Sequence, residues 1–593
     1  MPKDDPSLSA LIGAMRARLS TDDRLLLEAI HAPTVVAVPP EDAFRDLCVL
    51  ADGRIRHYGF EVVGGVHQRV FIESGDCGLS WKRHLVHDPD EMGACTRSPA
   101  SGRWLTLMPM LRKPHFAYPG LAVHPEGGTW ALFSATGPGG HDVVRRRVSA
   151  LQLANIRQPL ALRTRPRLIC AAQLREGAVT HPVVMRSDDD GETWTPAHLR
   201  PAPPFVPAFP HRGVRWQQYA CEPTVTELAD GTLIALARTS QDFHYQYVSR
   251  DGGETWTDPA PSPFHGTITM PALLRLADGR QLLFWCDTQP LPELEHAEPY
   301  LSASEIEGTS EDVFTNRDAC HAALAHDDFT GWQGFRELFL NPIRNDADFR
   351  LSGHCKLDKS VHQFQALELP FGKVMVALGQ CVTSRRILVF DLQWLGEKTR
   401  AMDFSNGLAG LSTHSYIRSL TGNIRGWGGH CAWNRISGAK LVPSPDGDPV
   451  EVLKIACSGD RDLVSPITGA TWNFPAGRRG AVTLQMQTPG AGVTLSLTDR
   501  WFNPSDLHAP DYAAFSTPVQ QLVPAVWSTV RVEWNLDART AALVVNGDRQ
   551  ADLPLRNPSE TGLNYLHLLA LADTPEDPGT LVRSLHAELA CSQ

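Results

Sequence analysis

Glu222 and Arg238 stand sixteen positions apart in Cys221-Glu222-Pro-Thr-Val-Thr-Glu227-Leu-Ala-Asp-Gly231-Thr-Leu-Ile-Ala-Leu-Ala-Arg238. The apolar runs on either side of Asp230-Gly231 predict a hairpin in which Glu222 opens one strand and Arg238 closes the other. A turn at Gly231 returns both side chains to the same end. A carboxylate and a guanidinium sharing one mouth supply a base and an anion clamp, because the planar fork of Arg presents parallel donors to a carboxylate.

The same construction, applied to the other hairpins, selects residues at equal distance from each turn glycine. It places Arg45 at the mouth of the first hairpin, with Phe60 and Glu61 at the returning end, and His362 and Gln363 at that of the last. Thr315-Asn-Arg317-Asp318-Ala-Cys-His321 joins Arg, Asp and His ahead of an apolar strand, and Phe284-Trp285-Cys-Asp287 ends another, so Asp287 and Asp318 are candidate acids. His57, Tyr58, His115, Tyr118, Tyr219, His244, Tyr245, His265, His321 and His362 also fall near predicted strand ends. Imidazole titrates near neutrality and phenol can protonate a leaving oxygen. The expected catalytic set is Glu222, His57, His362, Asp287, Asp318 and Tyr58, and the expected substrate-binding set is Arg238, Arg45, Arg317, Gln363 and Tyr219. No metal site or cofactor is expected; a structural or catalytic divalent cation is left open.

Repeated short hairpins must position these groups. Apolar runs flank Gly53, Gly127, Gly231, Gly279 and Gly372, and Arg167-Leu-Ile-Cys with Pro182-Val-Val-Met implies a sixth pair, giving about six four-stranded units between residues 32 and 400. Three octapeptides read Ser-x-Asp-x-Gly-x-(Thr/Ser)-Trp: Ser74–Trp81, Ser187–Trp194 and Ser249–Trp256. In each, Ser and Asp can accept backbone N–H bonds, Gly supplies positive φ and Trp anchors the turn by burial. Asp327-Asp-Phe-Thr-Gly-Trp332 reads as a decayed copy. Radial repetition of such units buries sheet faces while leaving only short edges.

Residues 1–31 hold one or two helices that pack on the outside of this array. After residue 400 the texture changes to alternating segments such as Val493–Thr498, Ser528–Trp534 and Ala541–Asn546, which predict an antiparallel sandwich. The 593 residues therefore divide into a helical segment at 1–31, a propeller at 32–400 and a β-sandwich at 401–593. A net charge of −11 excludes the basic surface that nucleic acid or an anionic membrane requires. No run reaches the roughly 20 apolar residues of a membrane span, and the first twenty residues lack a secretory pattern, so a cytoplasmic location is expected, or a periplasmic or secreted one if a signal has been removed. Twelve scattered Cys without a CxxC pair predict reduced thiols. Oligomeric state is not legible.

The octapeptides resemble the Asp-box of the sialidase superfamily, whose members have six-bladed propellers, and the later segments resemble a concanavalin- or laminin-G-like jelly roll. The resemblance implies that Glu222 polarises a nucleophilic Tyr, that Arg238 binds the substrate carboxylate, and that Arg45 matches the first substrate-binding Arg. The strand carrying His362 has no Tyr, and Arg54–His67 has no Asp where the family keeps its acid. Three functions follow: an exo-acting glycoside hydrolase releasing a terminal acidic sugar, a lyase cleaving beside a uronate with His and Tyr chemistry, or a non-catalytic glycan-binding propeller. The partner in each is carbohydrate.

Overall fold

A computed structural model describes residues 6–41, 45–88, 90–113, 122–176, 179–206, 220–290, 317, 319–341, 360–379, 384–416, 433–434, 436–463, 465–523, 525–575 and 577–590. The chain opens with helices Pro6–Arg18 and Thr21–Ala29. Ser20 starts the second with a reciprocal cap, its hydroxyl accepting the Asp23 N–H at 3.1 Å while the Asp23 carboxylate accepts the Ser20 N–H at 3.2 Å. Met15 and Leu27 are buried against Ile55, Met375 and Val389, which fixes the helices across the first and last sheets. The first helix lies so close to the turn at Gly53 that a Cβ there would meet the Ala14 carbonyl carbon at 2.5 Å, so only glycine fits.

Six antiparallel sheets follow, five of four strands and one of five, each a blade. The first contains Leu47–Val49, Ile55–Val63, Val66–Ser74 and Lys82–Leu85; the second, Thr96–Arg97, Trp104–Met110, Gly128–Ser134 and Val144–Ser149. In the third, two short inner pieces, Leu153–Ala154 and Leu160–Ala161, pair with Leu168–Glu176, followed by Val179–Ser187 and Thr195–His198. The fourth holds Cys221–Glu227, Leu233–Arg238, Phe243–Ser249 and Ala260–His265; the fifth, Ala272–Arg275, Gln281–Trp285, Ala319–Ala325 and Gln333–Leu340. The sixth takes its outer strand, Thr34–Ala37, from the beginning of the chain and adds it to Arg386–Asp391, Lys373–Leu378 and Gln365–Glu368. The Gln365 amide bonds both the N–H and the C=O of Leu47 at 2.8 Å, tying the inner strands of the last and first sheets.

Five of the six expected hairpins join neighbouring strands as anticipated. The exception is the run before Gly127: described residues there form only a bridge from Val123 to Leu111, and the turn joins the second and third strands of its sheet rather than the first and second.

The Asp-box turns sit between third and outer strands. Gly78, Gly191 and Gly253 donate to the hydroxyls of Ser74, Ser187 and Ser249 at 2.7–2.9 Å. Asp76, Asp189 and Asp251 accept from the N–H groups of Ser80, Thr193 and Thr255 at 2.9–3.0 Å. Trp194 is buried and donates Nε1–H to Gly191 O at 3.0 Å. In the decayed box Phe329 occupies the positive-φ position (φ 67°), and Trp332 still donates to its carbonyl at 3.0 Å.

Beyond residue 398 two antiparallel sheets face each other, one of eight strands from Thr399–Met402 to Thr580–Leu589 and one of five that includes Gly469–Gly477, Leu563–Ala570 and Val493–Thr498. Both contribute to one core, with Trp472, Leu495 and Leu568 from the smaller sheet meeting Val482, Val532 and Leu585 from the larger. Two sheets that share one core in this way form a β-sandwich arrangement.

The sandwich is joined to the fifth blade by a buried polar seam. The Asp287 N–H donates to His321 Nδ1 at 3.0 Å, leaving His321 Nε2 to donate to the Tyr565 hydroxyl at 2.6 Å, which donates to Glu337 at 3.0 Å. Asn473 and Asn564 both donate to Phe335 O, at 3.1 and 2.9 Å. Beside them Arg500 bonds Asp499 at 2.6 Å and Gln289 at 2.7 Å.

The eight described cysteines are buried and none is in a disulfide. Among the described residues no helix is long and apolar enough to cross a membrane, and no group of three or more His, Cys, Asp or Glu converges to hold a metal ion.

Candidate functional site

The fourth sheet is irregular where Glu222 sits. Cys221 pairs with Arg238 and Thr224 with Leu236, so Glu222 and Pro223 together oppose Ala237 as a bulge. Pro223 has no N–H for the ladder, and Glu222 takes a positive φ of 43°. The bulge brings the Glu222 carboxylate to Arg238: Nη1 donates to Oε2 at 2.7 Å, with both side chains 7% exposed. Asn155 donates to Oε1 at 2.9 Å, and the Glu222 N–H donates to Gln173 at 3.2 Å.

Arg157 completes the frame. Its guanidinium donates to the carbonyls of Glu222, Pro223 and Pro271, each at 3.1 Å, clamping the bulge to the start of the fifth sheet. Burial would raise the Glu222 pKa, but the positive field of Arg238, His362, Arg157 and Arg45 outweighs it and lowers the value to about 2. Glu222 is therefore a carboxylate at neutral pH and cannot act as the acid. Burial lowers the Arg157 pKa to about 9, with Arg45 adding to the effect and Glu222 opposing it.

Arg45 and His362 thus lie in the field of the Glu222 pair. Arg45 also lines a small cavity with His57, Gln363, Gln365 and Arg385, between the first and sixth blades. His57 is 3% exposed, and its Nδ1 lies 3.0 Å from Tyr58 O. Because a carbonyl only accepts, Nδ1 carries the proton and Nε2 presents its lone pair. Burial lowers the His57 pKa to about 4, and Arg385 pushes in the same direction. Arg45, Asn155, Glu222 and Gln363, from four different blades, all have positive φ, between 43° and 75°. Such strain gathers where surrounding structure holds side chains for function.

Other expectations resolve differently. Tyr58 faces away from the mouth: its hydroxyl donates to Glu91 at 2.5 Å and accepts from Arg56 at 3.1 Å, and its ring packs on Phe71. Neighbouring residues on a strand point to opposite faces, so His57 and Tyr58 could not both reach the site. Asp287 lies in the sandwich seam, 1% exposed, rather than at the mouth; burial, with Asp499 adding to it, pushes its pKa well up. His265 and His321 belong to the same seam. His244 is held by Thr269 at 3.0 Å. Glu61 lies beyond the mouth and pairs with Arg83, because Leu47 stands opposite His57 and the strand overruns. Arg317 is buried, donates to Ile268 O at 3.4 Å and accepts the Val361 N–H at 2.8 Å, so it braces the segment carrying His362 and Gln363. Asp318, Tyr219, His115 and Tyr118 lie outside the described residues.

Asn155, Arg157, Gln173 and Arg385 escape the sequence reading. Asn155 and Arg157 occupy the break between two inner pieces of the third blade, and Arg385 precedes a third strand, so none stands at a hairpin end.

Residues 143–339 match a family model described as a BNR repeat-like domain. Residues 143–339 are therefore similar to a BNR repeat-like domain, in keeping with the sialidase-superfamily resemblance of the Asp-boxes. No curated protein sequence matches the chain. Among solved structures, a Trypanosoma rangeli sialidase in complex with 2,3-difluorosialic acid aligns at 12% identity and TM-score 0.36, over 95% of each chain. A Dyadobacter fermentans protein of unknown function aligns at 18% and 0.35, over 61% of this chain and 96% of its own. The NanB sialidase of Streptococcus pneumoniae aligns at 14% and 0.36, over 62% and 70% respectively.

Proposed function

We propose that this protein is an exo-acting glycoside hydrolase of the sialidase superfamily that releases a terminal acidic sugar. The observation that carries the reading is the buried, ionised Glu222 held by Arg238 amid Arg45, Arg157 and His362. Polar groups that converge from several blades, with a strongly shifted carboxylate among them, are the mark of a working site. Three guanidiniums against one carboxylate leave excess positive charge, which suits an anionic substrate in a chain whose overall charge is −11. In this reading Arg238 and Arg45 face the substrate carboxylate, and Glu222 serves as base or as activator of the nucleophile.

A second reading, β-elimination at a uronate, is favoured by His57. Its neutral ring, with Nδ1 held on Tyr58 O, lines a cavity shared with Arg45 and Arg385. A base beside cations that mask a carboxylate is what removal of the α-proton needs.

Incubating the protein with sialylated and uronate-containing oligosaccharides tests both. Saturated sugar released without ultraviolet absorbance supports hydrolysis. New absorbance from an unsaturated uronate replaces it with elimination, and binding without turnover removes both.

A further inference from the structure

We propose that His265 is a positioning residue: gripped by Arg500 of the sandwich, it anchors a linker that holds Glu222 and Arg238 in place, so that the sandwich is a working part of the site. The inference rests on the reading of that pair as the centre of the site and goes on to name what steadies it.

The linker is residues 266–271, between the outer strand of the fourth blade and the inner strand of the fifth. It begins at the sandwich. His265 Nε2 sits against a buried ion pair: Arg500 Nη1 donates to it at 3.1 Å and to Asp499 Oδ1 at 2.6 Å, and Asp499 Oδ2 lies 3.3 Å from the same imidazole nitrogen. Arg500 Nε also donates to Gln289 at 2.7 Å, so the guanidinium that meets His265 is itself fixed. The Phe243 ring packs on the imidazole, with centroids 4.6 Å apart.

From this anchor the linker reaches both members of the pair. The Ile268 N–H donates at 2.9 Å to the carbonyl of Thr239, the residue after Arg238. The Pro271 carbonyl accepts from Arg157 Nη2 at 3.1 Å, and the same nitrogen donates to the Glu222 carbonyl. The middle of the linker is thus bonded to the strand end of Arg238, and its last residue shares a guanidinium with the bulge of Glu222. Arg317, which braces the segment of His362 and Gln363, donates to Ile268 O at 3.4 Å.

The linker also carries strain that its surroundings must hold. Ile268 is fully buried with a φ of 53°, a conformation that a β-branched residue rarely takes. Such an outlier persists only where neighbouring structure over-determines it. Thr267, Thr269 and Met270 are at most 2% exposed, and a Cβ at Gly266 would meet Thr269 Oγ1 at 2.5 Å, so the segment is packed too tightly to shift at one point alone. Contiguous packing and hydrogen bonds of this kind carry a displacement from one end to the other. Loosening His265 therefore loosens the pair.

Hydrogen exchange of the full chain, read by mass spectrometry on peptides across Cys221–Glu227 and Leu233–Arg238, tests this without a substrate. His265→Leu removes the acceptor for Arg500 and leaves the Arg500–Asp499 pair whole. It is expected to speed exchange in both peptides about tenfold, the worth of one hydrogen bond. His265→Gln, whose amide oxygen can accept, is expected to keep most of the protection. Arg500→Gln, made from the sandwich side, is expected to act as His265→Leu does; if it does not fold, the His265 variants decide. Tyr565→Phe, which weakens the same seam away from the linker, is expected to leave the two peptides unchanged. No change with His265→Leu, equal effects of the Leu and Gln variants, or an equal effect of Tyr565→Phe overturns the proposal. Where the wild-type protein turns over an acidic sugar, kcat is expected to fall with the lost protection, and an unchanged kcat in His265→Leu overturns it as well. Absence of any turnover ends the hydrolase reading and leaves the exchange result to decide this one.

Discussion

His321 Nε2 lies 2.6 Å from the hydroxyl of Tyr565, and this bond crosses from the fifth blade into the sandwich. Both residues are fully buried, and the hydroxyl continues the chain to Glu337. Removing it strands a donor on His321 and an acceptor on Glu337, a loss of about 1–3 kcal/mol for each buried group left unmade. Tyr565→Phe is thus expected to lower the melting temperature by several degrees. Because the seam joins blade and sandwich, calorimetry is expected to show one transition in the wild type and a separated sandwich transition in the variant.

Glu222→Gln keeps the shape of the side chain and removes the charge that Arg238 faces. The buried guanidinium then lacks its counter-ion, which is expected to cost about 3 kcal/mol in urea unfolding and at least a hundredfold in kcat on any substrate found. Arg238→Gln is expected to destabilise by a similar amount. The double variant is expected to lose less than the sum of the singles, since removing both partners leaves no stranded charge. Strict additivity would show that the pair is not coupled.

Acid is expected to destabilise the protein through its buried imidazoles. Burial lowers the pKa of His57 and His567 to about 4 and of His244 and His321 to about 3. The unfolded chain binds protons at the ordinary histidine value of about 6.5, so between pH 6.5 and 4 it holds more protons than the native state. Stability contributed by these neutral rings is complete above pH 6.5 and declines as the pH falls. At pH 5 the four rings are expected to account for an uptake of about four protons on unfolding, measurable from the pH dependence of the unfolding free energy.

Asp189 accepts from the Thr193 N–H at 2.9 Å, the Thr193 hydroxyl at 2.5 Å and the Ser187 hydroxyl at 2.8 Å. Asp189→Ala is expected to cost about 1–3 kcal/mol with little change in substrate KM, because the turn lies at the outer edge of its blade. A loss of activity larger than the loss of folded protein would contradict a purely architectural role for the box.

Much of the architecture was legible in the chain itself. The Ser-x-Asp-x-Gly-x-Thr-Trp turns, the apolar runs about each glycine and the alternating segments after residue 400 are short-range patterns, and each specifies its hairpin through contacts a few residues apart. The pairing of Glu222 with Arg238 belongs to this group, since both lie on one hairpin and equal distance from its turn brings them together.

Only the tertiary structure decided what else surrounds that pair. Arg157 and Asn155 come from a break in a neighbouring blade, and Arg45 and Gln363 from segments at opposite ends of the blade region. The positive-φ backbone of Asn155, Arg45 and Gln363 and the bulge at Pro223 violate local preference and persist because packing from several blades holds them. The same rule misled the reading of Tyr58 and Asp287. A position near a strand end says which rim a residue occupies, while the face of the pleat turns Tyr58 toward Glu91, and a distant sandwich covers Asp287. A single chain segment encodes its turn and its alternation; which groups converge depends on contacts between segments hundreds of residues apart, and these exist only once the blades have packed.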